Sequence, residues 1–170
     1  INTLIGKEQN IVTDIAGTTR DSLNTEYTQF GFDFTLVDTA GLRKKKNVNE
    51  NLEFYSVMRS VRAIEHSDVC ILVVDAERGF ESQDQRIFHI ADRNHKGIVI
   101  LVNKWDLIKK STETSKKFIE DIKEKISPFT DVPILFVSAI EKQRLLKALK
   151  EAINVFNNRI QKISTSKLNN

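Results

Sequence analysis

The sequence predicts a three-layer α/β fold: a mostly parallel sheet with helices on both faces and one antiparallel hairpin. Three observations predict it. The runs at 69–74 (VCILVV) and 98–102 (IVILV) are continuous and rich in β-branched residues, the pattern of strands covered on both sides. A shorter run of the same kind, ILFV, follows at 134–137. Between and after these runs lie amphipathic segments long enough to carry crossovers between parallel strands.

The elements follow in chain order. Glu26–Phe30 and Phe32–Val37 are two β-type runs split by Gly31. Phe30, Phe32 and Phe34 alternate with small or polar residues, which predicts an antiparallel hairpin with these rings in its core or in a domain contact. Helices are expected from Ser82 to Asn94, from Ser115 to Ile126 and from Lys142 to Phe156. The last carries Leu145, Leu146, Leu149, Ile153 and Phe156 on one stripe. Pro128 and Pro133 punctuate the loop before the final strand. The polar end from Ser164 to Asn170 reads as a boundary, so residues 1–156 are taken as one domain and 157–170 as a linker out of it.

Composition narrows the function classes. The chain has 170 residues, of which 40% are hydrophobic and 29% charged, the balance of a globular domain rather than a disordered one. No apolar run approaches the ~20 residues that span a bilayer, so no membrane partner is expected. The single cysteine, Cys70, excludes an internal disulfide and a cysteine zinc site, fits a reducing cytoplasm and reads as core packing. His66, His89 and His95 show no metal-ligand spacing. The net charge of +3 is unevenly placed. Arg159, Lys162 and Lys167 face no acidic residue in the tail, and Arg43–Lys46 form a dense basic cluster. Such runs are either solvated surface or a contact for an anionic partner such as RNA.

Three short motifs sit at the ends of strand-like runs, where open α/β sheets bind ligands. Asp38-Thr39-Ala40-Gly41 closes TLVDTAG. An aspartate there can hold Mg²⁺, and a glycine lets a backbone N–H approach a terminal phosphate. Asn103-Lys104-Trp105-Asp106 follows IVILV. The Asp106 carboxylate can accept the N1–H and the exocyclic amino hydrogens of guanine, donors that adenine lacks at those positions. Asn103 can tie neighbouring loops together, and the Lys104 stem can cover a base face. Ser138-Ala139 follows ILFV and offers a backbone N–H to guanine O6. Each motif alone also reads as an ordinary polar turn, with Trp105 at the surface; their order on three successive strand ends is the signal. Asp75 ends a strand with no motif around it and reads as structural.

With these residues in hand, the chain resembles translation-factor-class GTPase domains. It is most similar to the second G domain of the Der (EngA) family, bacterial GTPases with two G domains and a KH-like domain. The resemblance is carried by NIVTDIAGTTRD at 10–21, DTAGLRKKK at 38–46, LEFYSVMRS at 52–60, NKWD at 103–106 and KQR at 142–144. Arg159 with ISTSKLN at 163–169 looks like the entry to the KH-like domain. The resemblance implies a P-loop NTPase-type fold that hydrolyses GTP to GDP and phosphate as a switch in large ribosomal subunit assembly. It implies Mg²⁺ held through Thr19 and Asp38, with K⁺ as a further cofactor. It implies a nucleotide site made of Asp38, Thr39, Ala40, Gly41, Leu42, Asn103, Lys104, Trp105, Asp106, Ser138 and Ala139. The implied partners are guanine nucleotide, the large ribosomal subunit and its RNA, and intramolecular contacts with another G domain and the KH-like domain.

The sequence departs from the family in two ways. No GxxxxGK[ST] occurs, and the strand that would precede this loop is missing as well. That strand belongs between the hairpin strand ending at Asp38 and the strand ending at Val74, so its removal would leave two open edges. These residues are therefore expected to be a fragment, with 1–10 the end of a first helix, and inactive in isolation. A non-catalytic RNA- or domain-binding module stays open as the alternative. Leu42 stands where many small GTPases place a water-orienting Gln. With Gly41 sensing the γ-phosphate, Glu53 is the first candidate to orient the attacking water and Glu50 the second.

Overall fold

The computed structural model describes residues 3, 23–39, 58, 60–109 and 111–162. Thr19, Ala40, Gly41, Leu42, Glu50, Glu53 and the Arg43–Lys46 cluster lie outside the described residues.

The hairpin forms from β1 (Leu23–Tyr27) and β2 (Phe34–Asp38), antiparallel, with Leu23 opposite Asp38 and Tyr27 opposite Phe34. The strands are displaced from the expected runs because the turn is longer. Phe30 and Gly31 both take positive φ, at 54° and 77°. Phe30 therefore sits in the turn and is 71% exposed, while Phe32 and Phe34 pack on the buried Tyr27 ring with centroids 6.5 and 5.3 Å away. A helical stretch at 60–66 precedes the main sheet.

That sheet holds β3 (Val69–Asp75), β4 (Gly97–Asn103) and β5 (Ile134–Phe136), all parallel, in the order β3-β4-β5. The helices are α1 (Ser82–Arg93), α2 (Thr112–Ile126) and α3 (Leu145–Ile160). The alternation of β4 explains the layers. Ile98, Ile100 and Val102 point into one apolar cluster with Leu72, Val74, Phe88, Ala91, Ile122 and Ile126 from β3, α1 and α2. Val99 and Leu101 point into the opposite cluster with Ala148 and, at its edge, Leu145, Ala152 and Val155 of α3. A strand buried on both faces has no polar side to spare, which is why its sequence is continuous rather than alternating.

Helix starts follow local chemistry. The Ser111 hydroxyl accepts the Thr114 N–H at 3.2 Å, and Thr114 Oγ1 accepts the Ser111 N–H at 3.3 Å, so α2 begins three residues before the apolar period suggests. Helix α3 begins three residues later than expected. Lys142 and Arg144 take φ values of 55° and 59°, and Gln143 bridges back to Ser138, so this stretch is a turn. At its other end α3 runs on to Ile160, and Arg159 is no loose tail charge: it donates to the His95 carbonyl at 3.0 Å and meets Asp68 at 3.2 Å.

Among the described residues, the hairpin and the three-stranded sheet are separate, the break falling between β2 and β3. There the resemblance places a further strand. Val73, on the β3 edge, is 52% exposed.

Candidate functional site

The parallel register sets strand ends side by side: Asp75, last in β3, pairs with Asn103, last in β4. The chain leaves β4 through Lys104 in a left-handed conformation, φ 62° and ψ 31°, and enters a short 3₁₀ turn at Trp105–Leu107. Asp106 lies within this turn.

Two loops are locked together here. The Trp105 N–H donates to the Val137 carbonyl at 3.1 Å, and the Val137 N–H donates to the Val102 carbonyl at 2.9 Å. The Ala139 N–H donates to Asn103 Oδ1 at 3.0 Å. Asn103 thus bonds the loop after β5 through its oxygen, which leaves its Nδ2 hydrogens as the donors it offers. Of the two N–H groups of Ser138-Ala139, one of which was expected to face a base oxygen, that of Ala139 is engaged with Asn103. Ser138 is buried; its Oγ accepts the Glu141 N–H at 3.1 Å, and its own N–H reaches the Gln143 carbonyl at 3.4 Å.

Trp105 is half-buried: its ring packs against the core cluster, 4.2 Å from Phe136 and edge-on to Phe118 at 5.7 Å, and so supports the loop.

Asp106 stands apart from these satisfied groups. Its Oδ1 is buried and has no hydrogen-bond partner among the described residues. A carboxylate oxygen withdrawn from water without a donor costs about 1–3 kcal/mol or more. Such an atom is poised for a donor that arrives with a ligand.

Lys104 runs the other way. Its Nζ lies 2.8 Å from Asp75 Oδ2 and 3.7 Å from Glu77 Oε2. The hydrogen bond and the charge of Asp75 push the Lys104 ammonium above its ordinary range. Asp75 Oδ1 also accepts the Glu77 N–H at 3.0 Å, so both carboxylate oxygens are used. Reading the sequence by motif missed Asp75. The signal was there in position: Asp75 directly follows the run VCILVV as Asn103 directly follows IVILV, and the parallel register sets the two side by side. A cavity of about 190 Å³ opens at these ends, lined by Val73, Val74, Asp75, Asn103 and Lys104. Small-molecule sites usually enclose ~300–1,000 Å³, so this cavity is smaller than a typical one.

Asp38 ends β2 with Thr39 exposed beyond it. Burial pushes the Asp38 carboxyl above the ordinary carboxylate range. Among the described residues no cluster of three or more His, Cys, Asp or Glu could hold a metal. The Asp38 oxygen donor is of the hard type that suits Mg²⁺. No helix among the described residues is long and apolar enough to cross a membrane.

Comparison with known proteins gives the family and the fold. GTPase Der of Flavobacterium johnsoniae is 66% identical over 169 residues, covering 99% of this chain and 39% of that protein. GTPase Der of Bacteroides fragilis is 59% identical over 170 residues, with the same two shares. The chain therefore spans about two fifths of the length of these relatives. The solved structure of Era in complex with MgGDPNP and a segment of 16S ribosomal RNA shares the fold. Its TM-score is 0.76 at 24% identity, over 91% of this chain and 50% of that one. The sequence profile described as 50S ribosome-binding GTPase matches residues 1–104, more than half of the chain, and the chain belongs to that family.

Proposed function

We propose that this chain is the guanine-nucleotide-binding part of a longer protein, which hydrolyses GTP to GDP and phosphate as a conformational switch in large ribosomal subunit assembly. The observation that carries the reading is the buried, unpartnered Oδ1 of Asp106. Guanine supplies the N1–H and amino hydrogens that such a carboxylate lacks. Adenine would leave it orphaned, and selectivity built on an unpaired buried group is large. The free Nδ2 hydrogens of Asn103 suit the acceptor edge of the same purine, and the Lys104 stem suits its face. Trp105, Ser138 and Ala139 hold the loops in place.

Mg²⁺ would be held by Asp38 with Thr19, both hard oxygen donors, and when bound it neutralises charge on the β- and γ-phosphate oxygens. We assign Thr39, Ala40, Gly41 and Leu42 to the phosphate end, with Gly41 sensing the γ-phosphate through its N–H. Glu53 orients the attacking water, with Glu50 next in line, and K⁺ belongs to the same proposal through kinship with related GTPases. The G domain runs through the last helix, which ends at Ile160, and the segment beyond it leads toward a KH-like domain that, with another G domain, completes a cytoplasmic protein. The Arg43–Lys46 cluster offers positive charge to ribosomal RNA. The Era complex, which holds both a nucleotide and ribosomal RNA, supports that pairing of ligands.

Equilibrium binding of GDP and ADP to the full-length protein tests the reading. GDP is expected to bind at least ~100-fold more tightly, the value of two charge-assisted hydrogen bonds at the low end. Equal affinities would overturn it.

A further inference from the structure

We propose that Asp75 is a positioning residue for the nucleotide site: it holds the Lys104 side chain in place across the strand ends before any ligand arrives. The inference rests on the guanine reading above and adds a determinant of affinity that touches no nucleotide.

A lysine at the surface is a flexible stem with a strongly hydrated head. Lys104 is constrained at both ends. At its backbone the left-handed φ of 62° turns the residue back toward β3. At its tip the ammonium meets Asp75 Oδ2 at 2.8 Å. The Asp75 side chain is only 12% exposed and is itself fixed, because its second oxygen accepts the Glu77 N–H at 3.0 Å. Glu77 adds a weaker carboxylate contact at 3.7 Å from the outer side. The register pairing of Asp75 with Asn103 sets the anchor one residue from the lysine it holds. The stem between these two fixed ends is therefore in position when a base lies against it. Ordering lost in advance is not lost on binding, so the contact raises affinity through preorganisation.

Four forms of the full-length protein test this: wild type, Asp75→Asn, Lys104→Met and the double variant. Asparagine keeps an acceptor for the Glu77 N–H while removing the ion pair. The Lys104 side chain is 43% exposed, so Asp75→Asn is expected to weaken GDP binding roughly 2–5-fold. The GDP-over-ADP ratio should stay unchanged, because Asp106 is untouched. Lys104→Met should weaken binding more, and adding Asp75→Asn to it should cost nothing further. Effects that multiply in the double variant, or an Asp75→Asn protein that binds as wild type does, would overturn the proposal. Should Asp75→Asn fail to fold, the exposed Glu77→Gln variant decides. It is expected to lose roughly 2-fold in affinity in wild type and nothing in the Lys104→Met background; the same loss in both backgrounds would count against positioning. A wild-type protein without guanine preference would instead sink the guanine reading.

Discussion

The side-chain oxygen of Asn103 accepts the backbone N–H of Ala139 at 3.0 Å, so one side chain at the end of β4 fastens the loop that follows β5. Asn103→Ala removes that acceptor and leaves a partly buried N–H unpaired. A loss of about 1–2 kcal/mol in unfolding free energy is expected, read by urea titration. Asn103→Asp keeps the acceptor and discards the Nδ2 donors. It should retain most of the stability while weakening GDP binding, and a variant that loses stability but not affinity would contradict the assignment.

Trp105 supports the same loop from beneath through Phe136 and Phe118. Trp105→Ala should lower unfolding free energy by about 2–4 kcal/mol, less than for a fully buried tryptophan because the ring is partly exposed. Trp105→Phe should recover more than half of it. Denaturant titration monitored by far-UV circular dichroism checks both.

Gly97 begins β4 where α3 crosses closely. A Cβ at this position would meet Val155 Cγ1 at 2.7 Å and Val69 Cγ2 at 3.1 Å. Both neighbours are β-branched and stiff, so neither yields easily. Gly97→Ala should cost about 1–3 kcal/mol, and Gly97→Ala with Val155→Ala should cost less than the sum of the two single changes.

Much of this fold was legible in the sequence because burial on both faces leaves a plain mark. The runs ending at Val74 and Val102 gave β3 and β4 within one residue at each end. The start of α3 was not legible, because the positive φ of Lys142 and Arg144 is imposed by the Ser138–Gln143 bridge and carries no residue signature such as glycine. Asn103, Lys104 and Asp106 were found as a motif. The tie that Asn103 makes to the loop after β5 was foreseen too; the Lys104 contact was not, because its ammonium turned to an aspartate that motif reading had set aside. Trp105 next to charged residues suggested surface, yet the turn after Lys104 folds its ring under the loop.

Burial pushes the Cys70 thiol up to about 11. At pH 8 it should be protonated and inert to iodoacetamide in the folded protein, and should react on unfolding in urea. The sign for stability follows. Between pH 9 and 11 the unfolded thiol gives up its proton while the folded one keeps it, so the unfolded state binds fewer protons and stability falls with rising pH. Cys70→Ala should remove that part of the slope, seen by comparing melting temperatures of the two proteins at pH 8 and pH 10.

The orphaned oxygen on Asp106 is met most directly by changing what it can accept. In the full-length Asp106→Asn protein, an amide N–H replaces one acceptor oxygen and suits the 2-carbonyl of xanthine rather than the 2-amino group of guanine. Binding of GDP and of xanthosine diphosphate, measured side by side, should show GDP weakened by roughly 10²–10⁴-fold and xanthosine diphosphate strengthened. An Asp106→Asn protein that binds GDP as tightly as wild type, with no gain for the xanthine nucleotide, would show that this carboxylate does not read the base.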